Sequence, residues 1–159
     1  MMSSRRLALV AAAALPLPLL AACAEDPGTD PLTGTEWQVT NIYREEGEPS
    51  SLPPTLAGAV KLVFGEHTLA GNTGCANIQA ITSFTADRLE VTDVHFHPED
   101  GSPCTGADLN VHQAVSDILR SGPLTILHPS DSEMILREDT GRPNPPALRL
   151  ARPVDDPHE

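Results

Sequence analysis

The chain has 159 residues, with 10 Lys/Arg against 22 Asp/Glu, a formal charge of −12, and five aromatics: Trp37, Tyr43, Phe64, Phe84 and Phe96. That length suits one domain, and the regular Val/Ile/Leu content supports a packed core and excludes wholesale disorder. Lys61 is the sole lysine, which excludes nucleic acid as a partner, because phosphate binding depends on clustered Lys/Arg releasing counterions.

Met1–Arg6 is a short n-region carrying Arg5 and Arg6, followed by an apolar run of 14 residues, Leu7–Leu20. A spanning helix needs about 20 apolar residues, so the run reads as a cleaved signal peptide over 1–22. It ends Leu20-Ala21-Ala22-Cys23, which resembles the bacterial lipobox. The resemblance implies diacylglycerol on the Cys23 thiol and cleavage after Ala22, hence a chain held by its lipid on the extracytoplasmic face of the cell membrane. Multiple acyl chains give stable anchoring that one chain does not. The competing reading is an ordinary secretory signal in which Cys23 is incidental. Cleavage leaves 8 basic against 22 acidic residues, a charge of −14, so an anionic membrane surface repels the domain. Residues 23–31, rich in Asp, Glu, Pro and Gly, have the composition of a flexible tether.

Residues 32–152 form the domain. Trp37, Val39 and then Ile42 or Tyr43 alternate along Glu36–Tyr43, predicting a half-buried strand with a slip near Asn41. Arg44–Pro54 reads as a charged, Pro-rich surface loop. Ala59–Phe64 and Thr68–Ala70 flank Gly65-Glu66-His67 as a hairpin, and Gly71-Asn72-Thr73-Gly74 is turn chemistry. Both glycines there are expected to take positive φ. Ile81–Thr85 is a further strand, and the phase change between Leu89/Val91 and Val94/Phe96 predicts a bulge or break at Thr92-Asp93. Asp108–Arg120 is the one helix, starting up to two residues earlier, with Leu109, His112, Val115, Ile118 and Leu119 on its apolar stripe. Thr105 and Asp108 are placed as a capping box, and Gly122 follows the last turn. Leu124–His128, a turn at Pro129–Ser132, Met134–Arg137 and Leu148–Arg152 complete the domain; Pro153–Glu159 is an acidic tail. One helix among short-linked strands predicts an α+β fold, mainly antiparallel, in which a compact barrel-like sheet carries one packed helix.

Besides Cys23 only Cys75 and Cys104 occur, an even pair suited to a disulfide in an exported protein. A bond would close a loop of about 30 residues, worth roughly 3.5 kcal/mol in the chain-entropy model. It would also fix an irregular Gln79–Pro103 segment. Two independent buried thiols are the alternative.

Leu32-Thr33-Gly34-Thr35-Glu36-Trp37-Gln38-Val39 resembles the opening of META domains (the HslJ-like family), and Leu69-Ala70-Gly71-Asn72-Thr73-Gly74-Cys75 resembles their Gly-x-x-Gly-Cys-Asn motif. The later helix and the strands around Met134–Arg137 and Leu148–Leu150 keep that family's order. The motif residues are then Trp37, Gly71, Gly74 and Cys75, while Ala76 stands where the family has Asn and Asn77 follows one place late. The resemblance implies a small envelope or secreted domain, often a lipoprotein, linked to stress tolerance and without an established catalytic site.

No nucleophile elbow, zinc-protease helix, phosphate loop or dinucleotide fingerprint occurs, so no catalytic residue and no cofactor is expected. His95-x-His97 places two imidazoles on one strand face, where His112, Glu99 or Asp100 could complete a divalent-metal site. The competing reading, which we adopt, is that Val94 and Phe96 are buried and both histidines face water. Two function classes follow. One is a non-catalytic, lipid-anchored envelope protein that meets the membrane through Cys23 and binds an envelope protein or ligand. The other is an extracytoplasmic small-ligand or metal binder. A lined internal cavity favours the second; a core filled by Trp37, Val39, Leu62, Phe64, Val91, Phe96, Val115 and Ile118 favours the first.

Overall fold

The computed structural model describes residues 32–44, 48–99 and 103–153. The signal peptide, Cys23, the tether, Asp100 and the tail from residue 154 lie outside the described residues. The strands are β1 (Glu36–Tyr43), β2 (Pro49–Ser51), β3 (Lys61–Phe64), β4 (Thr68–Asn72), β5 (Ala76–Thr85), β6 (Arg88–Pro98), β7 (Leu124–Ser130), β8 (Glu133–Glu138) and β9 (Ala147–Ala151), with the helix α1 (Gly106–Arg120) between β6 and β7. Strands β3 to β9 form an antiparallel meander, and β1 closes it by pairing with β3 on one side and β9 on the other. Eight strands thus make a closed antiparallel barrel, a size whose interior side chains can fill. The ninth, β2, extends β1 at its far end through Asn41↔Ser51 to Tyr43↔Pro49.

Two bulges give the sheet its curvature. In β1 the register to β9 shifts between Val39 and Asn41, which moves the inward positions from Trp37 and Val39 to Ile42. In β6, Asp93 and Val94 together oppose the single residue Ala80, and Asp93 takes a positive φ of 52°. An extra residue bends the strand and reverses the parity of every later side chain, which is the phase change visible between Val91 and Val94.

The barrel interior is packed. Trp37, Val39, Leu62, Phe64, Val91, Val115 and Ile118 are all buried, joined by Leu69, Ile78, Leu89, Met134, Leu136 and Leu150. Val94 is half-buried rather than buried, and Phe96 also differs from the expectation. It is half-buried, lying edge-on to the His112 ring at 5.3 Å with the Arg120 guanidinium 4.6 Å above it. It packs against α1 from outside the main core.

β6 and β7 share only Arg88↔Thr125 and Leu89↔Leu124, so α1 packs where β6 runs on beyond β7. It lies between β6 and β9 and buries Val111, Val115, Ile118 and Leu119. This cap sits at the barrel end where Tyr43 pairs with Ala147. At the opposite end Gly34 N–H donates to the Phe64 carbonyl and the Arg152 guanidinium covers the Trp37 ring at 5.1 Å.

Four local expectations are corrected. The Arg44–Pro54 loop contains the edge strand β2, which has too few residues to show a period. The Gln79–Pro103 segment is not irregular, since most of it is the β5–β6 hairpin. Strand β7 continues through Ser130, leaving only Asp131-Ser132 as the turn. The capping box does not form. Thr105 is the N-cap residue but its side chain makes no capping bond, and Asp108 instead accepts a hydrogen bond from Thr55 at 3.2 Å.

Candidate functional site

Gly71 and Gly74 stand at the junction of β4 and β5, beside the α1 cap. Gly71 is a strand residue without positive φ, contrary to expectation. A Cβ there would collide with the Lys61 carbonyl oxygen on β3, so the requirement is close backbone approach. Gly74 does take the left-handed conformation, at φ 85°, and a Cβ there would also strike Leu56.

Between them, Asn72 and Thr73 organise the turn, and sequence reading assigned neither a role. The Asn72 side-chain oxygen accepts from Gly74 N–H, while its amide nitrogen donates to Asn77 Oδ1 at 3.1 Å and Glu99 Oε1 at 2.7 Å. Asn77 therefore pairs with Asn72, and Ala76 before it is buried. The signal was the Asx-turn pattern Asn-x-Gly. Thr73 is fully buried, and its hydroxyl oxygen accepts from Cys75 N–H at 3.3 Å and Ala76 N–H at 3.1 Å. The hydroxyl also donates to the Ala76 carbonyl oxygen at 3.3 Å and lies 2.8 Å from His112 Nδ1. Burial, and then the Arg120 guanidinium, hold His112 below the usual histidine range.

Cys75 and Cys104 form a disulfide, with Cα atoms 5.4 Å apart. It ties the β4–β5 turn to the residue preceding the α1 N-cap, close to the Thr73–His112 bond. The turn and the helix are thus fastened twice.

The His95/His97 face is arranged otherwise. The rings are near-parallel with centroids 6.5 Å apart, and His95 Nε2 lies 3.1 Å from Asp93 Oδ1. Both histidines are exposed. Glu99 is engaged by Asn72, and His112 by Thr73. Glu99 and His112 are thus each engaged elsewhere, and no group of three or more potential ligands is found among the described residues.

A different concavity lies outside the barrel. A cleft of about 780 Å³ opens between α1, the β1–β2 end and the β8–β9 connection. Ile42, Ala114 and Ile118 form its apolar floor; Arg44, Glu48, Asp117, Glu138 and Arg142 supply its charge.

The architecture is thus an eight-stranded antiparallel barrel capped at one end by a single helix. No family model and no curated protein matches the chain. Among solved structures it is similar to an NMR structure of a protein from Burkholderia xenovorans, with a TM-score of 0.57 and 18% identity over 89% of this chain and 99% of that one. A second NMR structure matches with a TM-score of 0.52 and 11% identity, covering 76% of this chain and 91% of the other. At these identities the likeness is one of fold.

Proposed function

We propose that this is a lipid-anchored cell-envelope protein whose META-like barrel works without catalysis, binding or stabilising an envelope component on the extracytoplasmic side. The observation that carries the reading is Leu20-Ala21-Ala22-Cys23, in register behind an n-region and an apolar run. The Cys75–Cys104 bond supports export, since disulfides persist in oxidising compartments. The filled barrel interior favours this reading over a carrier with an internal ligand. Leu32, the first described residue of the domain, follows Cys23 by nine residues, a spacing that suits a tether between lipid and barrel. The link to stress tolerance comes from the META resemblance alone.

The test is metabolic labelling with a radioactive fatty acid. Wild-type protein is expected to take label and run as the processed form, and Cys23→Ser to lose the label and accumulate as precursor or released protein. Unchanged labelling and processing in Cys23→Ser would sink the proposal.

A further inference from the structure

We draw no further inference here: the strongest candidate, the exposed His95 and His97 pair beside the Asp93 bulge on the outer face of β6, carries nothing because no group of three or more potential ligands forms there among the described residues and nothing in the structure points to what the pair would hold.

Discussion

At the scale of single residues, the Thr73 hydroxyl joins a turn to a helix. It accepts from the Cys75 and Ala76 backbone N–H groups and lies 2.8 Å from His112 Nδ1 on α1. Protonating His112 would put a cation in a partly buried position and add it beside Arg120. The folded state therefore favours the neutral ring and binds a proton less readily than the unfolded chain, where histidine titrates near 6.5. With its folded pKa depressed, His112 contributes fully above the unfolded value. Its contribution falls as pH drops through about 6.5 towards the folded pKa, because the unfolded state binds more protons across that window. Urea unfolding at pH 7.5 and pH 5.5 should show the loss in wild type and a smaller loss in His112→Gln. Equal pH dependence in both would refute this role for His112.

Among the elements, α1 depends most on fastenings outside itself. Its N-cap lacks a side-chain bond, and a lone helix of 15 residues is marginal in water. The Cys75–Cys104 disulfide compensates by holding the helix start on the β4–β5 turn. Removing it as Cys75→Ala/Cys104→Ala is expected to cost about 3 kcal/mol, a large share of a typical stability of roughly 5–15 kcal/mol. That corresponds to a fall of about 10 °C or more in Tm by calorimetry. Alkylation and mass spectrometry under non-reducing denaturation should find no free thiol at either position in the wild type. Two alkylated cysteines would remove the fastening and this account of α1. The elements themselves were largely legible, because buried side chains impose their period on the chain. The Asp93 bulge shows as a parity change, and α1 as a stripe of Val115, Ile118 and Leu119. What stayed hidden depends on partners distant in sequence. Asp108 serves Thr55 rather than its own helix end, and Gly71 answers to the Lys61 carbonyl. The cleft joins Glu48, Asp117 and Arg142, which no local pattern links.

For the whole molecule, closure is the decisive feature. The first strand of the barrel must find the last, pairing Val39 with Leu150 and Tyr43 with Ala147 across more than a hundred intervening residues. Until that contact forms, the meander has two open edges and Trp37 has no wall of β9 beside it. Afterwards the interior is shared by all the barrel strands and by the inner face of α1, so no element has a core of its own. Such a structure should lose everything together. Trp37 is the single tryptophan and reports the barrel end where Arg152 covers its ring, whereas ellipticity near 222 nm is weighted to α1 at the other end. Urea titrations of the full chain followed by Trp37 fluorescence and by circular dichroism should therefore superimpose, with one midpoint and one slope. Refolding should be slow, in the millisecond-to-second range of folds dominated by distant strand pairings. A helix signal lost before the fluorescence changes would show α1 to be a separable cap, and the shared core would not then be what holds the two ends of the barrel in one cooperative unit.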